Sequence, residues 1–219
     1  MSSSQTVIEH AVLFKIREDC DPTKVHDMVT ALNSLASIVD VLYLTAGPVL
    51  RNRYSSPYFT YALHSRFRTK DNLEAYMDHP HRDSVVNKSV IPAIDDFLAF
   101  DWVAEVGDGD DAVVPPPGSA IRATFMKLKE NLGDEVKPKI LEVIEEAKGI
   151  FPQIKQLTFG ENFTPEKAKG YWLTTLAIFP GIGEMEELNS KEELVAAQMT
   201  KVEDYFESVF GIDYVVPAP

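Results

Sequence analysis

Residues 7–16 read VIEHAVLFKI. Side chains alternate along a strand, so Ile8, His10, Val12, Phe14 and Ile16 share one face, and Val7, Glu9, Ala11, Leu13 and Lys15 share the other. Both faces are largely apolar. A sheet with one solvated side would place polar residues there, so the stretch predicts a strand covered twice, by helices on one side and by a further layer on the other. Downstream, Asp21 and Pro22 form a helix start, followed by Val25, Met28, Val29, Leu32, Leu35 and Ile38 at helical spacing. VDVLYLTAG (39–47) and YFTYALHSRF (58–67) are strands by their β-branched and aromatic content. TKDNLEAYMDH (69–79) predicts a short helix, VVNKSVIPAIDDF (85–97) a second, and LAFDWVAE (98–105) a last strand.

The segment EVGDGDDAVVPPPG (105–118) combines four acids, three glycines and three consecutive prolines, and it reads as an extended linker. The flanking halves match at a shift of 112 or 113 residues. LYLTAG ending at Gly47 answers IKQLTFG ending at Gly160, Phe67 answers Phe179, and FDWV from Phe100 answers IDYV from Ile212. Each copy reads strand, helix, strand, strand, helix, strand, with the second-copy helices expected over about 135–147 and 191–206. The predicted fold class is therefore α+β, with two ferredoxin-like βαββαβ repeats, residues 1–104 and 119–219, joined by the linker at 105–118. The unhelixed face of each sheet must be hidden by the other copy, with the sheets either packed face to face or closed edge to edge as an intramolecular pseudo-dimer.

Composition narrows the function. The 219 residues carry a net charge of −13, which disfavours a nucleic-acid partner, because such binding needs Lys and Arg against phosphates. A single cysteine, Cys20, excludes an internal disulfide framework and multi-thiolate zinc sites. No apolar run reaches the roughly 20 residues of a spanning helix, so no membrane partner is expected. The opening MSSSQTVIEH lacks the pattern of a secretory signal. A cytoplasmic location is expected, or an organellar one if a targeting segment has been removed. All five histidines lie in the first half, at 10, 26, 64, 79 and 81. Imidazole chemistry, if there is any, belongs there.

IEHAVLFK, LTAG, YALHSRF, YMDHP and FDWV together resemble the stress-responsive A/B barrel family, whose members are also called dimeric α+β barrel proteins, in its tandem two-domain plant form. The resemblance implies that the repeats pack as an intramolecular dimeric α+β barrel. It also implies several functions: relatives include stress-induced proteins, antifungal proteins, and a polyketide cyclase that closes an aromatic ring by aldol chemistry. The cyclase motif Y-x-x-H-P-x-H is met by Tyr76, His79 and Pro80, but Arg82 stands at the last histidine's place and His81 falls one position early. Arg82 cannot act as a base, since a guanidinium stays protonated; it can hold an anionic group.

Two readings follow. The first is a non-catalytic stress- or defence-associated protein with a small apolar or aromatic ligand in the first repeat, lined by His10, Val12, Phe14, Tyr61, Leu63, Tyr76, His79 and Arg82. The second is a cyclase-like or lyase-like enzyme with Tyr76 as hydrogen-bond donor and His81 or His10 as base. The blander possibilities are that His10 is a neutral core histidine and that His79 merely breaks and caps a helix. His64, an odd number of positions from Tyr61, faces away from that pocket. Neither reading requires a cofactor, although the resemblance implies a magnesium ion held by the carbonyls of Leu35, Ile38 and Val41. The second half, which has no histidine, reads as completing the barrel. Further homo-oligomerisation is left open.

Overall fold

The computed structural model describes residues 5–53, 57–107 and 110–217; residues 1–4, 54–56, 108–109 and 218–219, part of the expected linker among them, lie outside the description. Gln5–Ile16 is strand β1. Helix α1, Pro22–Ser34, starts where Asp21 accepts the Thr23 N–H at 2.7 Å, and it buries Met28 and Leu32 on the sheet. Asn33, near its end, is pinned to the next strand by two hydrogen bonds of 2.9 Å with the Ala46 backbone. That strand is β2, Val41–Arg53, followed by β3, Tyr61–Phe67. Helix α2, Lys70–Met77, is capped by Thr69, and its i, i+3 pair Leu73 and Tyr76 faces inward. Helix α3, Pro80–Val85, continues through a wider turn at Val86–Val90 and a tighter one at Ile91–Ala93 before β4, Ile94–Val106.

The second half contains α4 (Asp110–Val113), β5 (Ala120–Leu128), α5 (Val136–Ile150), β6 (Gln156–Glu161), β7 (Leu173–Phe179), α6 (Ile182–Asn189), α7 (Glu192–Met199) and β8 (Phe206–Val215). Three sequence expectations are corrected. The helix expected over 85–97 ends at Ala93, because Ile94 already pairs with Ile16 in the sheet. The helix expected over 191–206 is only α7, which is preceded by the separate α6, and the strand begins at Phe206. The segment 105–118 is not a plain spacer: residues 105 and 106 finish β4, and the carbonyls of Ala112 and Val113 accept from the Arg66 guanidinium at 2.8 and 2.9 Å.

All strands join one eight-stranded antiparallel sheet in the order β4-β1-β3-β2-β8-β5-β7-β6. The repeats therefore meet edge to edge. At one seam β2 pairs with β8, with Arg51 opposite Asp213 and Arg53 opposite Gly211. At the other, the outermost strands β4 and β6 come together: the Phe163 N–H donates to Asp101 O at 2.9 Å, and the Asp101 N–H donates to Asn162 Oδ1 at 3.0 Å. A side chain at Gly160 would put its Cβ 2.8 Å from Val103 O, so only glycine permits this approach. The sheet thus curls into a nearly closed barrel with the helices outside.

The barrel interior is the missing second layer. Val7, Ala11 and Leu13 from β1 meet Phe100, Phe125, Phe210 and Tyr171 there. Phe125 stacks on Phe210 with ring centroids 4.8 Å apart, and Phe100 lies 4.1 Å from Phe125. Ile8 and Phe14, on the other face of β1, pack under the first-half helices with Met28, Leu32, Phe67 and Tyr76. A fragment of residues 1–104 would bare its half of the barrel core and both seam edges. Gel filtration with light scattering should find it dimeric or aggregated; a well-folded monomer would contradict this account of the packing.

Candidate functional site

Strand alternation sends His10 to the helix side of β1, where only 3% of its surface is exposed. Its register partner in β4 is Asp101, and His10 Nδ1 lies 2.5 Å from Asp101 Oδ1. The partner is thus a buried carboxylate and not the backbone group expected of a core histidine. Asp101 Oδ2 accepts from Thr164 Oγ1 at 2.6 Å, so the second repeat helps to orient the pair. Burial alone would push the Asp101 carboxyl up. The His10 ring, the Thr164 hydroxyl and the more distant Lys167 outweigh burial and hold it below the usual carboxylate range. With Nδ1 committed to the carboxylate, Nε2 is the ring nitrogen that a neighbouring molecule can meet.

Beside this pair is a cavity of about 260 Å³ between the first-half sheet and its helices. Of the residues singled out in the sequence, His10, Val12, Phe14, Leu63, Tyr76 and Arg82 line it. The α2 spacing that buries Leu73 also turns Tyr76 onto the sheet, with its ring 6.2 Å from that of His10 and 5.0 Å from that of Phe67. Burial pushes the Tyr76 hydroxyl up to about 12, so it remains a donor at neutral pH. Arg82 donates to Met77 O at 3.0 Å, and its guanidinium stands 5.7 Å from the Tyr76 ring centre. The remaining wall includes Leu32, Leu35, Ile91 and Phe97, with Lys167 from the second repeat.

Three candidates lie elsewhere. His81 turns outward, with Nε2 3.0 Å from Ser34 Oγ in an exposed contact. Pro80 opens α3, and one helical position separates this outward direction from the inward direction taken by Arg82. His79 is the N-cap of α3, its Nδ1 accepting the His81 N–H at 3.1 Å. Tyr61, although on the helix-facing side, sits at the start of β3 and lines a separate open cleft with Arg17, Val25 and His26. The proposed magnesium ligands lie in the turn after α1. There, Leu35 O and Ile38 O each accept a backbone N–H, from Ile38 at 3.1 Å and Val41 at 3.0 Å. Among the described residues there is no group of three or more His, Cys, Asp or Glu side chains arranged to hold a metal.

Sequence reasoning passed over two groups. Asp101 was visible only as the aspartate that FDWV and IDYV share. The second copy keeps the geometry with a different side chain: Arg122 pairs with Asp213 in register, its Nε donating to Asp213 Oδ1 at 2.7 Å. The other group is a charge cluster inside the barrel. Glu9 accepts from Arg66 Nη2 at 2.8 Å and from Thr158 Oγ1 at 3.0 Å, and it lies 2.6 Å from His64 Nε2. Gln156 Oε1 accepts from Arg66 at 2.7 Å, so the cluster spans both repeats. Burial opposes the Glu9 charge, but Arg66 and His64 outweigh it and lower the carboxyl to about 2. Burial pushes the His64 imidazole down, towards its neutral form.

The stress responsive A/B barrel domain family matches the chain twice, over residues 8–104 and 121–216. Two Arabidopsis thaliana proteins, both described as stress-response A/B barrel domain-containing proteins, are similar along nearly the whole chain. One is 42% identical, covering 100% of this chain and 83% of the relative. The other is 36% identical, covering 97% of this chain and 98% of the relative. Among solved structures, an anthrone oxidase-like protein superposes with a TM-score of 0.64 at 8% identity, covering 100% of this chain and 94% of the other. A proposed monooxygenase of Fusobacterium nucleatum superposes with a TM-score of 0.64 at 12% identity, covering 98% and 94%. At those identities the likeness shows the fold alone.

The barrel-interior cluster sets an acid limit. The folded Glu9 carboxyl is depressed, so its contribution is complete above the unfolded value of 4.5 and is lost as pH falls towards about 2. His64, favoured neutral in the fold, loses its contribution in the same direction, as pH falls below the unfolded value of 6.5. Urea midpoints measured between pH 7 and pH 3 should fall steadily. Glu9→Gln leaves Arg66 unpaired and should cost about 3–5 kcal/mol at pH 7, with a shallower pH dependence; parallel pH profiles for the two proteins would refute the assignment.

Proposed function

The chain belongs to the stress-responsive A/B barrel domain family, and on that premise we propose that it is a stress-associated binding protein whose first repeat takes up a small, mainly apolar or aromatic molecule. One observation carries this: an apolar cavity of about 260 Å³ whose lining includes a few polar groups, His10, Tyr76 and Arg82 close to one another and Lys167 from the second repeat. Small-molecule sites generally combine such an apolar body with a few convergent polar groups. The ligand's rings or chain lie against Val12, Phe14, Leu32 and Leu63. A hydroxyl or carbonyl meets His10 Nε2 or the Tyr76 hydroxyl, and Arg82 favours a partial negative charge nearby. Binding of this kind needs no metal or cofactor. The working compartment is the cytoplasm, where a lone thiol such as Cys20 stays reduced.

A second reading rests on the carboxylate behind His10. An imidazole held at Nδ1 by an aspartate, with Nε2 towards a cavity, is the arrangement of a general base. In this reading His10 removes a proton from a bound carbonyl compound, the Tyr76 hydroxyl donates to the developing oxyanion, and His81 takes no part. An outward His81 favours binding over catalysis by the route of the family's cyclase, and His10 is the residue on which the two readings diverge.

Titration with an alkylresorcinol, an aromatic polyketide analogue, should shift the methyl resonances of Val12, Leu32 and Leu63. His10→Leu should weaken binding about tenfold, roughly 1.4 kcal/mol. Undisturbed first-repeat methyls at millimolar ligand would remove the proposal. Ring closure of a linear polyketide, abolished in His10→Leu and retained in His81→Ala, would replace binding by catalysis.

A further inference from the structure

The second repeat has a cavity in the place that corresponds to the first, and its polar wall has different chemistry. About 180 Å³ lies between the second sheet and α5, α6 and α7, lined by Met126, Ile140, Ile144, Ala147, Phe179 and Met199 among others. For comparison, an engineered apolar cavity of about 150 Å³ accepts benzene. Protein interiors are packed to crystal-like density and rarely keep such voids. The void also accounts for a feature of the roof. Helix α7 directs Val195, Gln198 and Met199 at the cavity, spaced as one helix face, yet among the described residues it keeps no side chain fully buried.

Two polar groups line the cavity from opposite sides, Gln198 from α7 and Arg122 from β5. Gln198 Oε1 is buried with no hydrogen-bond partner among the described residues, and a buried acceptor left in that state is costly. Arg122, standing where the first repeat has His10, gives Nε and Nη2 to Asp213 at 2.7 and 3.1 Å and Nη2 also to Asn189 at 2.8 Å. Its Nη1 makes no hydrogen bond among the described residues and, unlike Gln198 Oε1, is not a buried unsatisfied atom, so it remains a free donor at the edge of the cavity. Arg122, Val195 and Met199 also border an outer cleft that holds Arg51 and Arg53 with Glu186 and Glu192, so the cavity lies next to an open cleft and shares these side chains with it. Arg51, Arg53 and Arg122 pair with Asp213 and Glu186, and Glu192 lines the same cleft, so the wall is close to neutral and does not call for an anion.

We propose that the second repeat is itself a binding site, for a compact, neutral, apolar molecule carrying one hydroxyl, such as a phenol. The hydroxyl oxygen accepts from Arg122 Nη1, and its proton is donated to Gln198 Oε1. The apolar body fills the space beneath α7. This half of the chain is then a second pocket of distinct selectivity as well as the closure of the barrel.

The test uses the full chain with isotope-labelled Ile and Met methyls, and p-cresol and toluene as probes. Expected are saturable p-cresol shifts at Met126, Ile140, Ile144 and Met199, a weaker response to toluene, and at least tenfold weaker p-cresol binding in Gln198→Leu with the toluene constant changed less than twofold. Second-repeat methyls that stay still up to the solubility limit of p-cresol overturn the inference, as does toluene binding there as tightly as p-cresol. Shifts confined to Met77, Ile91 and Ile94 of the first pocket also overturn it while leaving the first-repeat reading intact. Shifts confined to the second set support it and count against that reading.

Discussion

Each four-stranded sheet in this protein has two apolar faces and helices enough for one. The rest of the structure follows from how the second face is hidden. Stacking two flat sheets would bury the faces but leave four edges open; pairing β2 with β8 and drawing β6 onto β4 buries the faces and consumes the edges together. The arrangement demands close backbone approach at the second seam, which is why glycine stands at position 160, against Val103 O. It also forces into the barrel whatever polar residues the inward face carries. Glu9, His64 and Arg66 are buried there; Thr158, Gln156 and the carbonyls of Ala112 and Val113 supply hydrogen bonds to Glu9 and Arg66, while His64 Nδ1 has no partner among the described residues. The Glu9–Arg66 pair therefore has these partners only when the second repeat and the connecting segment are in place.

The same closure links the first pocket to the second repeat. Asp101 is a seam residue through its backbone and supports a pocket residue, His10, through its side chain, bonding Phe163 and Asn162 with the one and His10 and Thr164 with the other. Its counterpart Asp213 lies at the opposite seam facing Arg51 and holds Arg122. The two repeats have thus kept an aspartate at one structural position and changed the side chain it orients. An imidazole suits hydrogen bonding or proton transfer near neutrality, whereas a guanidinium only donates. This single difference separates the chemistry of the two cavities more than any difference in their apolar walls.

Much of this was legible along the chain. The repeat offset, the double-faced strand at residues 7–16 and the βαββαβ order were enough to reach two ferredoxin-like units closing on one another, because strand alternation and helical spacing are local properties. The first pocket was partly legible for the same reason: alternation alone turns His10, Val12, Phe14 and Leu63 towards the helices, and the Tyr76 position follows from its spacing with Leu73. The readings failed where direction depended on a single residue of winding. His81 and Arg82 are neighbours in α3 that point to opposite sides, and Tyr61 shares a face with the pocket yet lies beyond its end.

The sequence by itself determined the strand order, the first helix of each repeat, the doubling and the need for a second apolar layer, since these depend on periodicity and turn chemistry within short stretches. Only the tertiary structure decided that the layer is the interior of a nearly closed barrel, that Asp101 stands behind His10 and Arg66 behind Glu9, and that a cavity remains under each set of helices. Those facts join residues tens to well over a hundred positions apart, such as Glu9 and Thr158. Pairings at that distance are settled by how two surfaces fit and which buried charges find partners, and no local pattern along the chain records either.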